Sequence, residues 1–451
     1  MRPDRRSAKP GKMVVMSARV LLNVFVAGYG YHEASWRVAQ NGAQGVLGLD
    51  HFVDVARTAE RGVLDSIFFA DSPGVAQFRT KFMAQSGFDP VDLLAALVPV
   101  TEHLGLLATA STTYSSPWDL ARRFATLDHL SKGRAGWNIV TTGSPAAAPN
   151  FADRAHPEHG DRYQRAVEFV EVVCKVWDGW EDDAVLASIA TGQWADQDKL
   201  HPPAHRGEHF SVAGILPFPR SPQGHPVLAQ AGSSAEGVDL AGRFADVVFT
   251  PQANIAAGSA FRDKVRAAAV SHGRTADDIK TLPGLSFVLG SSDAEATAAW
   301  EQLEAASSEE FRLHNLTHIA GIPPSAAADV DPDGEFPYHL FDNANGKTFG
   351  AAVSRAAREG GLTFRQAAQK FSTLPGGLHF TGTPEGLADL IEQWWREGGA
   401  DGFTLQPLRL PVDLALFVDH VVPVLQARGV SAREYAQGTL RDKLGLPRPA
   451  V

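Results

Sequence analysis

The sequence is poor in cysteine, in long apolar runs and in positive charge. Its 451 residues contain one cysteine, Cys174, which excludes an intramolecular disulfide and a cysteine-based metal cluster. No apolar run approaches the length needed to span a bilayer. Lys and Arg number 41 against 51 Asp and Glu, a net charge of −10, which argues against nucleic acid as a partner. A hydrophobic fraction of 44% still provides for a sizeable core.

Several catalytic and cofactor motifs are also missing. The sequence has no GxxxxGK[ST] loop, no GxGxxG after a predicted strand and no GxSxG elbow, so nucleoside triphosphate folds, dinucleotide folds and α/β-hydrolases are not supported. His201, His205 and His209 have metal-like spacing, but Pro202 and Pro203 prevent a helical pair of ligands. We therefore place these histidines in a surface hairpin and predict no metal site.

The amino terminus is basic and precedes a short apolar run, Val20–Val26, which mimics a secretory signal. The run contains Asn23 and is not followed by a small-residue cleavage pattern. We predict that residues 1–16 form a disordered extension, that residues 17–451 form a single domain, and that the protein is cytoplasmic.

Eight apolar segments alternate with segments of helical periodicity. The predicted strands are Val20–Val26, Leu64–Asp71, Leu104–Thr113, Ala135–Thr142, Val227–Ser234, Asp246–Pro251, Leu285–Gly290 and Gly402–Pro407. This alternation predicts an α/β fold, a (β/α)₈ TIM barrel with insertions. A doubly wound sheet is the alternative, but it rarely reaches eight regular units without a domain break. Residues 309–378, rich in Gly, Pro, Asn and His, interrupt the alternation, and we predict a lid-like insertion there.

The stretch Gly133–Trp180 carries three chemically useful residues between a strand and a helix: His159, Arg162 and Tyr163. A strand end, a loop and a helix N-terminus with hydrogen-bond donors can hold an anionic ligand in an α/β protein. An ordinary strand–helix unit with a polar surface loop would show the same spacing. The stretch alone does not separate these two interpretations.

Other polar residues fall at predicted strand ends, where TIM barrels bind their ligands. Asp71 ends the second strand, Thr109 lies late in the third, and Thr142 and Gly143 end the fourth. Each could simply cap a loop. Gly232–Ser234 ends the fifth strand and leads directly into a helix. Its glycine, its hydroxyls and the N–H groups of the helix start predict a phosphate cradle.

Several motifs together resemble one family. They are FFAD, LATASTTY with SSPWDLARRFATLDHLSKGR, GRAGWNIVTT, NFA followed by EHGDRYQRAVEFVEVVCKVWDGWEDDA, and VLAQAGSSAEG. The sequence from about Leu21 to Leu444 is similar to the flavin-dependent monooxygenases of the bacterial luciferase-like superfamily. Within it, the resemblance is to the group that contains nitrilotriacetate, dibenzothiophene-sulfone and long-chain alkane monooxygenases.

The resemblance implies a two-component enzyme that uses FMNH₂ supplied by a separate NAD(P)H:flavin reductase. A C4a-(hydro)peroxyflavin would transfer one atom of O₂ to a small organosulfur, amine or other xenobiotic-type substrate. By matching motif, Asp71 and Thr109 would lie against the isoalloxazine, while His159, Tyr163 and Ser234 would hold the ribityl chain and phosphate. Family members commonly form homodimers or tetramers.

The sequence also departs from the family pattern. Gly160 replaces an acid, Gly143 stands where the alkane enzyme has an important histidine, and Tyr29 stands nearest to a cysteine of that enzyme. Long-chain alkane hydroxylation is therefore not expected. An F420-dependent oxidoreductase and a non-catalytic flavin-binding protein remain alternatives on the same barrel.

His32 matches a recurring family histidine near the substrate, which makes it the candidate catalytic residue, although a loop-capping histidine would look the same. His314 and His318, in the predicted lid, are further candidate hydrogen-bond donors.

Overall fold

The computed structural model describes residues 19–39, 44–75, 77–85, 87–151, 155–344, 347–372 and 377–451. The predicted extension of residues 1–16 lies outside these ranges. Within them, eight parallel strands form the centre of the fold: β1 Leu21–Phe25, β2 Ser66–Phe69, β3 Gly105–Ser111, β4 Ala135–Val140, β5 Val227–Gln230, β6 Val247–Thr250, β7 Lys280–Leu289 and β8 Gly402–Pro407.

The strands close on themselves in chain order. β1 pairs with β2 on one side and with β8 on the other, and β7 bridges β6 and β8. The predicted (β/α)₈ barrel is thereby confirmed, because a doubly wound sheet would leave two open edges. Closure buries both faces of every strand, which is why the segments are nearly continuous apolar runs.

In the described part of the chain, seventeen α-helices surround the barrel or follow its strands. They are α1 Leu49–Arg61, α2 Gln77–Thr80, α3 Pro90–Leu97, α4 Pro117–Leu130, α5 His159–Trp177, α6 Ala235–Phe244, α7 Ile255–Ser271, α8 Asp293–Ala306, α9 Glu309–Ala320, α10 Pro324–Ala327, α11 Tyr338–Asp342, α12 Lys347–Gly360, α13 Phe364–Phe371, α14 Pro384–Arg396, α15 Val412–Leu416, α16 Val422–Ala427 and α17 Leu440–Leu444. No helix of the described ranges is long and apolar enough to cross a membrane.

The outward side chains of the strands form the main core with the helices. Trp137 of β4 is fully buried, and its ring centroid lies 5.9 Å from that of Phe169 and 6.5 Å from that of Trp177, both on α5. The apolar residues of α5 recur at helical spacing, so this helix buries one face against β4. The residues at the start of α5 are consequently fixed relative to the end of the strand.

The inward side chains divide the barrel into an apolar end and a polar middle. At the amino-terminal end, Leu21, Leu107 and Leu282 pack against Leu440 and Leu444 of α17, which plugs the barrel. The next layer carries hydrogen-bonded polar groups. Asn23 donates to Thr404 Oγ1 at 3.3 Å and accepts from Ser66 Oγ at 2.9 Å, and Asn138 donates to Thr109 Oγ1 at 2.9 Å. A ligand can therefore enter only from the carboxyl end.

Two differences from the sequence prediction lie beside the barrel strand β7, and a third lies in the final predicted helix. β7 begins at Lys280, five residues before the predicted start. The prediction missed these residues because Pro283 interrupts the strand pattern in the sequence. A strand that was not predicted, Leu378–Gly382, pairs with Leu285–Leu289 of β7. β6 pairs with the first residues of β7 and ends at Thr250, so the later residues of β7 are free to pair with this strand.

The predicted final helix, Val412–Arg428, is divided by a π turn at Phe417–Val421. Pro423 explains the division, since it lacks the N–H that a continuous helix would use and its ring clashes with the preceding turn.

Residues 309–378 are mostly helical, from α9 to α13. Leu316, Phe336, Phe341 and Phe364 form a separate apolar cluster with their neighbours. This cluster explains how the segment folds despite its glycines and prolines. Its role as a lid remains a prediction.

Arg441 of α17 holds the plug by a buried ion pair. Its guanidinium lies 2.7 Å from Asp246 Oδ2, and its Nε donates to the His225 carbonyl at 2.7 Å. Replacing Arg441 by Met leaves a buried carboxylate without its main partner, so we expect a loss of about 3 kcal/mol in the free energy of unfolding. The matched control is Arg448→Met, which removes an exposed pair with Asp182 and should cost less than about 1 kcal/mol. Urea unfolding measures both, and equal losses would contradict the plug's role.

Candidate active site

A cavity of about 180 Å³ lies at the carboxyl end of the barrel. It is lined by Tyr31, Phe249, Pro251, Gly284, Ser286, Gly377 and Gln406. Tyr31, in the loop after β1, hydrogen-bonds to the side chain of Gln406 at the end of β8. Burial raises the pKa of the Tyr31 hydroxyl, which keeps it a neutral donor. The cavity thus offers an aromatic wall with a few fixed polar groups, as small-molecule sites commonly do.

Hydroxyl groups lie at the ends of β3 and β4, on the same carboxyl rim of the barrel. Thr109, 2% exposed, faces the barrel interior and accepts the hydrogen bond from Asn138. Thr142 has a positive φ of 46° and donates to Ser111 Oγ at 2.7 Å. Such backbone is strained for a β-branched residue and persists only where the surroundings hold it, which is often at functional sites. Thr109 pairs with Asn138 inside the barrel, one layer below the rim that Ser111 and Thr142 form.

Asp71 lies two residues beyond the end of β2, where it is half-buried. Burial raises the pKa of its carboxyl, and the neighbouring Asp89 adds to the rise, while the Ser72 N–H and Arg123 lower it. Its carboxyl is thus more easily protonated than an exposed one.

The start of α5 meets the start of α6 at the turn after β5. A Cβ added to Gly232 would lie 3.0 Å from the Tyr163 hydroxyl, so the two are in contact. The Tyr163 ring centroid lies 4.9 Å from that of His159. Ser234 caps α6 by accepting from the Gly237 N–H at 3.0 Å. The structure thus brings His159, Tyr163 and Ser234 together, as the resemblance implied.

This turn fits a phosphate. The Gly232 Cβ would also lie 2.4 Å from Gln230 Nε2 and 3.0 Å from the Gly237 Cα, so the turn closes only around glycine. Gln230 Oε1 is buried there without a hydrogen-bond partner among the described residues, and a buried polar atom of this kind usually signals a missing ligand or water. The α6 N-terminus adds a favourable field. The Glu236 carboxylate already uses some of the donors there, since hydrogen bonds from its own N–H and from the Ser234 hydroxyl lower its pKa.

Arg162 binds the loop before α5, whereas Tyr163 contacts the turn after β5. Its Nη1 donates to His156 Nε2 at 2.5 Å and to the Pro157 carbonyl at 3.0 Å. Because arginine only donates, His156 Nε2 carries a lone pair, and its Nδ1–H faces the Tyr114 hydroxyl at 2.8 Å. Burial and Arg162 both lower the pKa of His156. Arg162 therefore fixes the loop before α5.

His32 is buried behind the cavity, at 1% exposure. Its Nε2 lies 3.3 Å from Glu304 Oε1, and its Nδ1 accepts from the Ala34 N–H at 3.1 Å. The Trp300 ring lies between His32 and His379, with centroid distances of 5.9 and 4.9 Å. His379 in turn contacts Ser286 Oγ at 3.1 Å, and Ser286 lines the cavity. His32 thus reaches the cavity only through other side chains.

The two other candidate histidines lie on α9, where both are exposed. Their rings contact Phe78, at 5.9 Å for His314 and 5.2 Å for His318. His201 and His205 bind separate carboxylates, Glu181 at 2.8 Å and Glu168 at 3.0 Å. Across the described ranges, no three His, Cys, Asp or Glu side chains group as a metal site.

The sequence prediction did not include the cavity residues Tyr31, Phe249, Ser286 and Gln406. The strand-end rule could have found Gln406, since it precedes the last residue of the correctly predicted β8. Ser286 lies within the predicted strand Leu285–Gly290, but the late predicted start put it near the amino end of that strand, whereas in the structure it lies in the carboxyl half of β7. The Cys174 thiol has no part in the site, and burial raises its pKa to about 12.

Comparison with known proteins covers nearly the whole chain. The sequence profile of the luciferase-like monooxygenase family matches residues 31–402. The chain is 40% identical to N-acetyl-S-(2-succino)cysteine monooxygenase of Bacillus subtilis (strain 168), over 97% of this chain and 99% of that protein. It is 42% identical to nitrilotriacetate monooxygenase component A of Aminobacter aminovorans, over 93% of this chain and 95% of that protein. Riboflavin lyase RcaE, solved with modified FMN and riboflavin, has a TM-score of 0.83 at 32% identity, covering 96% of this chain and 97% of that chain.

His379 predicts how stability depends on pH. Burial lowers the pKa of its ring to about 4, whereas histidine in an unfolded chain titrates near about 6.5. Between these pH values His379 binds a proton in the unfolded state but not in the folded state, so the free energy of unfolding falls as the pH falls through this window. NMR should show a His379 ring that does not titrate from about pH 8 to 5, and His379→Gln should flatten the pH dependence of urea unfolding. His420→Gln, an exposed control, should not. A His379 ring that titrates near neutrality would contradict the assignment.

Proposed function

The chain belongs to the luciferase-like monooxygenase family and is a flavin-dependent monooxygenase, and we propose that it uses FMNH₂ supplied by a separate NAD(P)H:flavin reductase. It inserts one atom of O₂ into a small organic molecule that carries sulfur or nitrogen. The observation that carries this proposal is the junction of α5 and α6, where Tyr163, Gly232 and Ser234 form a turn shaped for a phosphate.

Each end of the flavin has matching residues. His159, Tyr163 and Ser234 hold the phosphate and ribityl chain, as their contact around Gly232 supports. Asp71 and Thr109 lie against the isoalloxazine, at the ends of β2 and β3. Reduced FMN, when bound, activates O₂ and supplies the inserted oxygen atom. The chain's own task is to orient the flavin and substrate and to exclude water.

The relatives' names support the substrate class. Nitrilotriacetate is an amine and N-acetyl-S-(2-succino)cysteine is a thioether, and the enzymes named for them are about equally similar to this chain. Gly143, at the end of β4, is exposed, and a side chain added there would meet nothing within 4 Å. No histidine therefore stands where the resemblance to the alkane enzyme would require one.

The direct test couples the protein to a generic flavin reductase with FMN, NADH and O₂. A panel of thioethers and amines is screened for an oxygenated product, with ¹⁸O₂ to show the source of the oxygen. Label in the product supports the proposal. Tight flavin binding without product from any member of the panel would contradict it in favour of a storage protein, and turnover only with F420 would contradict the choice of cofactor.

The phosphate contacts predict how variants select between flavins. Ser234→Ala and Tyr163→Phe should each weaken FMN binding by about tenfold, the loss of one hydrogen bond to a charged group, with little effect on riboflavin. Flavin fluorescence quenching measures both affinities. Ser116→Ala is the matched control, since Ser116 precedes α4 without capping it by its side chain. Equal losses for FMN and riboflavin would place the phosphate elsewhere.

His32 predicts a separate effect on coupling. His32→Ala should leave FMN affinity unchanged but divert most of the reducing equivalents to H₂O₂, lowering product yield by about tenfold. His32→Gln, which keeps a donor and an acceptor, should recover part of the yield. His420→Ala is the exposed control. Full coupled turnover by His32→Ala would remove His32 from the mechanism.

A further inference from the structure

Arg79 is a partly buried cation for which the described residues provide no acceptor. It lies on α2, in the loop between β2 and α3. Its Nε is buried and makes no hydrogen bond, and across the described ranges neither a carboxylate nor a carbonyl contacts its guanidinium. Five N–H donors in a half-buried position normally find acceptors, because an unmet charged donor is costly. This arginine therefore requires an explanation.

Other buried arginines of the chain show what is missing. Arg134 donates to the Leu104 and Thr101 carbonyls at 2.9 and 3.1 Å. Arg312 lies 3.0 Å from Glu304 Oε2, and Arg441 lies 2.7 Å from Asp246 Oδ2. Each of these guanidinium groups is satisfied within the protein. Arg79 differs from these arginines because no described residue provides an acceptor for its guanidinium.

The electrostatic surroundings of Arg79 also differ from those of the paired arginines. Burial lowers the pKa of the Arg79 guanidinium, and the one group that opposes this is Tyr31, which is neutral at ordinary pH. Arg79 in turn lowers the pKa of His318 on α9. The positive charge of Arg79 thus acts on its neighbours Tyr31 and His318, in a chain whose net charge is −10. A bound anion would neutralise that charge and supply acceptors for the guanidinium.

The segment that carries Arg79 is held in place by its neighbours. Phe78 packs on Phe311 of α9, with ring centroids 6.4 Å apart. The Trp36 indole donates to the Phe82 carbonyl at 2.7 Å. The segment is therefore fixed against both α9 and the loop after β1. That loop carries Tyr31, which lines the cavity and lies near enough to interact electrostatically with Arg79.

We propose that the substrate is an organic anion and that its carboxylate binds Arg79, leaving the reacting sulfur or nitrogen to enter the cavity beside Tyr31. This inference rests on the proposed function, since it concerns the molecule taken up at the same barrel mouth. Arginine suits a carboxylate because its planar fork can donate two parallel hydrogen bonds. The flavin phosphate is the other possible anion. It is assigned to the turn after β5, whereas Arg79 follows β2, three strands away in the barrel.

Binding, rather than turnover, tests this proposal. Thiodiacetate is a thioether with two carboxylates, and dimethyl thiodiacetate is its uncharged counterpart. Isothermal titration of each into the wild-type protein, with and without FMN, is compared with Arg79→Gln, Arg79→Lys and a control, Arg57→Gln on the exposed face of α1. We expect the wild type to bind thiodiacetate at least about tenfold more tightly than Arg79→Gln, with Arg79→Lys between them and Arg57→Gln unchanged. The diester should bind weakly and equally to all four.

Three results would overturn the proposal. They are no saturable binding of thiodiacetate to the wild type below about 50 mM, equal affinity in Arg79→Gln, or a diester that binds as tightly as the diacid. A loss of FMN affinity in Arg79→Gln with thiodiacetate binding intact would assign Arg79 to the flavin phosphate and contradict it as well. Because no turnover is needed, these results are independent of the oxygenation assay, whose failure would instead contradict the proposed function.

Discussion

Closure of the parallel barrel is the constraint on which the rest of the structure depends. A closed barrel buries both faces of each strand, so its interior must be packed or hydrogen-bonded throughout. Leu440 and Leu444 of α17 fill the amino-terminal end, and the pairs Asn23–Thr404 and Thr109–Asn138 satisfy the polar layer above it. The cavity lined by Tyr31, Ser286 and Gln406 lies at the carboxyl end. The location of the candidate site follows from this packing, before any residue is assigned a role.

The fold was largely predictable because closure leaves a strong pattern in the sequence. Seven of the eight predicted strands contain the whole observed strand, although β2 and β5 were predicted twice as long as they are, and β8 matches to the residue. The failures have local causes. Pro283 concealed the first half of β7, and the strand Leu378–Gly382 pairs only because β6 ends early. Such long-range pairing depends on where a neighbouring strand stops, which no local pattern records.

The candidate site was predictable only in part, for a related reason. Ser234 directly follows the turn after β5, and His159 and Tyr163 lie at the start of the helix after β4, so local patterns and the family motifs both point to them. Their roles stay predictions. Tyr31 and Arg79 lie in separate loops, and their proximity depends on how those loops pack against the rest of the barrel. The motif of His32 predicts a place near the substrate. In the structure its ring packs on Trp300, which also packs on His379, and His379 contacts the cavity residue Ser286. The catalytic role of His32 stays a prediction.

We propose that the barrel mouth has two anion-binding ends, with the oxygen chemistry between them. In this proposal Gly232 and Ser234 hold the flavin phosphate at one end, and Arg79 holds the substrate carboxylate at the other. A crystal structure of the protein with bound FMN tests this division most directly. We expect the phosphate at the start of α6, within hydrogen-bond distance of Ser234 and Tyr163, and the isoalloxazine over Thr109. A phosphate bound at Arg79 instead would contradict it.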